Sequence, residues 1–437
     1  MRITRRRLLL GGLTAGAAGV GAAVATDGGL DGDGAAAGGG SARGGDGGGA
    51  TGGGAAADGR ALAPLPRAVT TDLRQHAWDA RLRRDGDGNV LAPRFQRLVL
   101  CDLAADPTPA RAHAAEAALR RLERAVPHGP HGVLLTVGWG PAWFRRIGAA
   151  SPVPAPRALS PTEAPALDDP VAVVHLAADD EALLDRVERA LFAGGALPGA
   201  GDVALSGLLR VTARRTGFVG AGLPRRHQPG TVGLPVDRPI ARDAPLYMGF
   251  RSGLRRNQAA EDDVTIPDGP WAGGTTMHVS VMDLTLDTWY HGVDEAGRVR
   301  RMFAADRTPA DVDRHRQGLD NPARDLAAVA RRHGVVGHAE SMAAVRRNGR
   351  PRILRRDFDS ADGDAAQVHF VALQRSIADF EATREAMNAA RASSAGAGVG
   401  AQVNNGINEW ITVTARGNYL LPPRGQRICP GLAGWSA

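Results

Sequence analysis

The chain has 437 residues, 43% of them hydrophobic, enough for two or three average domains or one large two-lobed domain with a real core. Aromatic content is only 4%, so that core must be built mainly from Leu, Val and Ala. Lysine is absent, the formal charge is +7, and four arginines with no acid in residues 1–25 bring it to +3 once that segment is removed; with arginines and acids interspersed elsewhere, this argues against a nucleic-acid-binding surface.

In chain order, Thr4-Arg5-Arg6-Arg7-Leu8-Leu9 is a twin-arginine pattern ahead of a mild Gly/Ala-rich apolar region, and Ala23-Val24-Ala25 is a small-x-small cleavage site. Residues 1–25 therefore read as a twin-arginine signal peptide. That implies the twin-arginine translocase as a partner during export and a location in the periplasm, cell wall or extracellular space. The competing reading is an uncleaved membrane anchor, and no other stretch is long and apolar enough to span a bilayer. The route carries folded proteins, many with cofactors already loaded, which raises the expectation of a tightly bound cofactor. Residues 26–62 are Gly, Ala and Asp with almost nothing to bury, and read as a disordered linker. Asp85-Gly86-Asp87-Gly88-Asn89 echoes the start of a calcium loop but lacks its later ligands, and reads as a turn.

The folded part begins with a buried-strand pattern at 95–103. Thr108 is placed to cap a helix with Pro109 at its first position, and Ala112, Ala115, Leu119, Leu122 and Val126 line one face. Strands follow at 132–140 and 171–178, Asp179 caps the next helix, and a fourth strand spans 207–215. Over 63–235 this is the β-α-β, β-α-β order of a ferredoxin-like half. Residues 236–437 repeat the rhythm loosely, with strands at 275–286 and 368–375, a helix from Ile377 to about Ala390, and a closing strand at 418–423. The fold class expected is α+β: two ferredoxin-like halves whose antiparallel sheets pack together with helices outside. A pocket is expected between the helices and sheet of the second half. Cys101 and Cys429 have no metal-ligand spacing and read as buried thiols, with one disulfide open to them in an oxidising compartment. Gly217-Phe218-Val219-Gly220-Ala221-Gly222 is not a dinucleotide fingerprint. In the strand at 275–286, Met277 and His278 point to opposite faces and cannot share a pocket.

Four stretches carry a family resemblance: "LTVGWGPAWF" (135–144), "GFRSG" (249–253), "GGTTMHVSVMDLTLDTWY" (273–290) and "GHAESMAAVRRNGRPRILRRDF" (337–358). In order and spacing, over roughly residues 90–425, the chain resembles the dye-decolourising (DyP-type) haem peroxidases. The resemblance implies a haem b cofactor with His338 as axial iron ligand and Arg355 on the open face, steadying a developing peroxide anion. Glu409 falls where the family often has a carboxylate bonded to the other nitrogen of that histidine. Arg255, in the basic pair Arg255-Arg256, is a candidate to meet haem propionates or an anionic substrate.

Ser252 departs from the pattern. The family has an aspartate there that takes and returns a peroxide proton, and serine has no usable pKa near neutrality. Asp262, Asp263 and Asp357 are candidates, by sequence proximity alone, to take over that role. The expected activity is hydrogen-peroxide-dependent oxidation of a bulky, dye-like organic donor, with Trp289, Tyr290 or Trp410 as a surface electron-transfer site. The alternatives from other classes are a haem carrier or sensor without turnover, and a haem-free cell-surface binding module. Self-association stays open.

Overall fold

Val-, Leu- and Ala-rich runs with period-two burial become strands wherever both faces of the chain can be covered. The computed structural model describes residues 72–435 other than 230, 232, 236, 239, 364 and 389, so the expectations for 1–25 and 26–62 lie outside the described residues. The described strands are β1 (Phe95–Leu103), β2 (Leu134–Trp139), β3 (Ala166–Leu167), β4 (Ala172–Ala178), β5 (Leu209–Phe218), β6 (Thr275–Leu284), β7 (Leu354–Arg355), β8 (Phe358–Ser360), β9 (Gln367–Gln374) and β10 (Ile411–Leu421).

The first half has strand order β2-β4-β1-β5 and the second β8-β9-β6-β10. Counted within each half, both read second-third-first-fourth, the ferredoxin-like order. The fourth strand of each half meets the second strand of the other through one residue pair, Phe218 with Asp359 and Leu420 with Trp139. The expected antiparallel sheets are thus joined at two seams, and the second seam closes the sheet on itself as a barrel. The short β3 flanks β10 in parallel.

Local signals hold in detail with two adjustments. Thr108 caps the helix Pro109–Ala125 by accepting from the Arg111 N–H at 3.3 Å, and Ala112, Ala115, Leu119 and Leu122 are its buried stripe. The helix Glu181–Phe192 is capped by Asp180, not Asp179. Asp179 instead accepts the Arg94 backbone N–H at 3.0 Å, fixing the approach to β1. β10 starts at Ile411, well before the expected 418, because Thr412, Thr414 and Arg416 interrupt the apolar run while the backbone pairs with β6 throughout.

A strap precedes the barrel. The Gln75 amide donates to the Val137 and Pro422 carbonyls at 3.2 and 2.8 Å, and its oxygen accepts from the Val137 N–H at 2.8 Å. It therefore bridges β2 and the end of β10 where the ladder between them has only one residue pair. Trp78 lies against the Arg356 guanidinium, 4.0 Å from ring centroid to Cζ, and Arg356 pairs with Glu261 at 2.9 Å. No helix among the described residues is long and apolar enough to cross a membrane.

Strand alternation in the second half then divides two environments. Met277, Val279, Val371 and Leu373 face the barrel interior with Leu98 and Val173 of the first half. Ser280, Met282, Val368 and Phe370 face outward, toward the helix Ile377–Asn388 and the long crossover between β6 and β7.

Candidate functional site

That outward face is not fully covered. Between β6, β9 and β10 below and the crossover and helix Ile377–Asn388 above lies a cavity of about 1450 Å³, its mouth included. It sits where the sequence placed it, between helices and sheet of the second half. His338, Arg355 and Ser252 all line it.

His338 opens the one-turn helix His338–Ser341 on the crossover. Backbone crowding sets its place: a Cβ on Gly337 would come within 2.5 Å of Ala304 Cα, and one on Gly406 within 2.9 Å of His338 Cα. The Glu340 carboxylate accepts the Gly337 N–H at 2.7 Å and closes the turn. Burial, helped by the charges of Arg355 and Arg384, pushes the imidazole down to about 3, so it is neutral. Its Nδ1 is buried without a hydrogen-bond partner.

Arg355 ends β7 with its guanidinium in the cavity. One Nη donates to the Asn257 carbonyl at 3.1 Å, while Nε is buried and unpartnered. The neighbouring Arg356 points the other way, onto Trp78 and Glu261, so alternation settles which arginine serves the cavity.

Ser252 is presented by a turn with Gly249 at φ +89° and Gly253 at φ +73°, both in the left-handed region that favours glycine. Its hydroxyl donates to Asp357 Oδ2 at 2.6 Å. The other oxygen of Asp357 accepts the Val371 N–H at 3.2 Å. Burial raises the Asp357 carboxyl to about 6, against the opposing pulls of Arg355 and the Ser252 hydrogen bond. Asp359, two residues on and also lining the cavity, is likewise raised by burial and accepts the Tyr247 N–H at 2.5 Å. Asp262 and Asp263 do not take part. They lie on the turn Glu261–Val264, where Asp262 is 86% exposed and pairs with Arg74, and Asp263 pairs with Arg350 at 3.3 Å.

Three expectations are corrected by placement. Glu409 is exposed on the turn Asn408–Trp410, where its charge faces Arg301, and the partnerless Nδ1 of His338 shows that it gives that ring no carboxylate. Arg255 is exposed and outside the cavity; its backbone N–H donates to Asn89 Oδ1 at 3.0 Å, against the 85–89 turn. Trp289, Tyr290 and Trp410 are no surface site, being 0%, 8% and 3% exposed, with the two indoles packed edge to face at 4.9 Å. Cys101 and Cys429 are free, buried thiols.

Sequence reasoning missed Arg384 and Arg416. Both line the cavity with a buried, unpartnered Nε, and Arg416 grips both oxygens of Glu163 at 2.9 and 3.0 Å. A charge inside a strand pattern was the available signal for Arg416. Among the described residues no three His, Cys, Asp or Glu side chains gather to hold a metal ion by themselves.

The fold has counterparts among solved structures. A DyP-type peroxidase from Cellulomonas bogoriensis matches at TM-score 0.50 and 21% identity, over 81% of this chain and 93% of that one. One from Streptomyces coelicolor matches at TM-score 0.51 and 18% identity, over 78% of this chain and 92% of that one. A variant of Rhodococcus jostii DypB in complex with heme matches at TM-score 0.52 and 15% identity, over 81% of this chain and 98% of that one. At these identities the likeness is one of fold, and it bears out the DyP-type α+β architecture. No curated protein matches. The sequence itself matches one family model across residues 93–423, the whole barrel from just before β1 to just after β10, and by that match the chain belongs to the family described as a family of unknown function, DUF7405.

Proposed function

We propose that the chain is a haem protein whose pocket reacts with hydrogen peroxide and oxidises an organic donor. The observation that carries this is His338: a neutral imidazole with an unpartnered Nδ1, on the wall of a cavity it shares with Arg355. The residues fit haem b. A neutral imidazole is the ligand the iron needs, Met282, Met342 and Phe370 offer soft apolar walls, and Arg346 and Arg384 offer cations for carboxylates. When bound, the haem supplies the iron-centred redox chemistry of peroxide reduction.

The chain's own part is electrostatic and positional. Buried Arg355, held through Asn257, keeps a fixed positive charge where water is scarce, and there it would bind a peroxide anion. Ser252 and Asp357 place a hydrogen-bonded hydroxyl and carboxylate in the same cavity. The donor would be organic, given the apolar walls that Met282, Met342 and Phe370 give the cavity. Export through the twin-arginine translocase belongs to the same reading and rests on the pattern at residues 4–9 and 23–25.

Serine at 252 favours a second reading, a haem carrier or sensor that binds the cofactor without turnover. The open cavity weighs against a haem-free binding module of this fold. Titration with hemin tests the first step: a strong Soret band is expected, and His338→Ala should remove or shift it. No Soret band after hemin addition would overturn both haem readings. Stopped-flow spectra with hydrogen peroxide then separate enzyme from carrier, since only the enzyme reading expects a rapid spectral change followed by donor oxidation.

A further inference from the structure

We propose that Asp357 is the proton-holding group of this pocket, reached through the hydroxyl of Ser252, so that the acid missing from the 249–253 turn is supplied from the segment between β7 and β8. The proposal deepens the peroxide reading above and rests on it. Ser252 and Asp357 are 105 residues apart in the chain, yet their side chains meet at 2.6 Å on the cavity wall. The Ser252 proton is committed to Asp357 Oδ2, so the lone pairs of Oγ remain to accept a hydrogen bond from a ligand in the cavity. Serine relays; it cannot store. The carboxylate behind it can, and its other oxygen is already steadied by the Val371 N–H at 3.2 Å.

The other cavity carboxylate is a poorer store. Asp359 is already tied to the Tyr247 N–H, burial raises its carboxyl, and no hydroxyl links it to the cavity as Ser252 links Asp357. The charged and titratable groups facing Asp357 are Arg355 on β7 and Asp359 on β8, with the Ser252 hydroxyl opposite. Arg355 and Ser252 both favour its charged form, burial the neutral one, and the balance near 6 suits a group that must take up and release a proton in mildly acidic or neutral water.

The step is a proton transfer alone. The peroxide O–H bond breaks as its proton passes to Ser252 Oγ, and the original Ser252 proton forms a new O–H bond at Asp357 Oδ2. A hydroperoxide anion is left within reach of Arg355, serine is regenerated, Asp357 is neutral, and no electrons move.

Infrared titration of the purified protein, without any cofactor, is the decisive test. A carboxylic C=O band with a midpoint near pH 6 is expected. Asp357→Asn should remove it, and Ser252→Ala should move its midpoint upward, because the charged form loses its hydrogen bond. A band untouched by Asp357→Asn, or a midpoint that ignores Ser252→Ala, would overturn the proposal. With hemin bound, Asp357→Asn should slow the reaction with peroxide by about 10²–10⁴-fold, and adding Ser252→Asp to that variant should recover most of the loss. An unchanged rate in Asp357→Asn would equally sink it. Failure to take up hemin would instead remove the haem reading, leaving the infrared result to decide where the proton sits.

Discussion

Arg355 and Asp357 stand two residues apart around the end of one short strand, and each sets the other's charge. Burial depresses the guanidinium, and the charge of Asp357 opposes that depression. Replacing Arg355 by Met should therefore raise the Asp357 midpoint above its value of about 6, as the favourable positive charge is lost, and should weaken cyanide or peroxide binding to the hemin-loaded protein. The carboxyl infrared band reads the first effect; a midpoint that stays or falls would mean that the guanidinium does not act on this carboxylate. His338, Arg355 and Ser252 were legible because local motifs carried them. Glu409 and Arg255 were not, because each sits in a turn, where no strand or helix period fixes the direction of a side chain. Asp357 was one of three candidate carboxylates, but the sequence could not single it out from Asp262 and Asp263, because nothing in it shows which of them meets Ser252 across 105 residues.

Most of the barrel was readable as elements, since β1, β2, β4, β6 and β9 are apolar runs and the capped helix Pro109–Ala125 announces its own start. β7 and β8 were not, having two and three residues, too few to show a period. The strap was also unread, as Gln75 carries no apolar signal. Its amide makes three hydrogen bonds across the β2–β10 seam and is buried. Gln75→Ala leaves the Val137 N–H and two carbonyls without partners, so a loss of about 1–3 kcal/mol in unfolding free energy is expected from a urea titration. A midpoint equal to wild type would show that water or a neighbouring chain segment takes over the seam.

At the scale of the whole molecule, buried histidines dominate the response to acid. Burial holds His76, His175, His278 and His369 near 3 and His128 near 4, against an ordinary 6.5. As pH falls through 6.5 the unfolded chain takes up these protons and the folded chain does not, so stability declines from about pH 6.5 toward 3. Asp179, Glu261, Glu340, Asp357 and Asp359 act in the opposite sense, since their raised values favour the folded state where they are protonated, and they offset part of this loss. The melting temperature should drop steadily between pH 7 and pH 4, and a flat profile would contradict the neutral burial of these rings.

The cavity walls hold one more consequence. Five of the seven methionines, Met248, Met282, Met302, Met342 and Met387, line a space in which peroxide is proposed to be handled. Thioethers oxidise to sulfoxides, which are polar and bulkier, whereas the two cysteines escape because burial raises both thiols to about 12. The protein should therefore age from its pocket outward. Under sustained peroxide, peptide mass spectra should show oxidation at these five positions ahead of Met277, which is buried in the barrel, and binding of apolar ligands should fade in step with it.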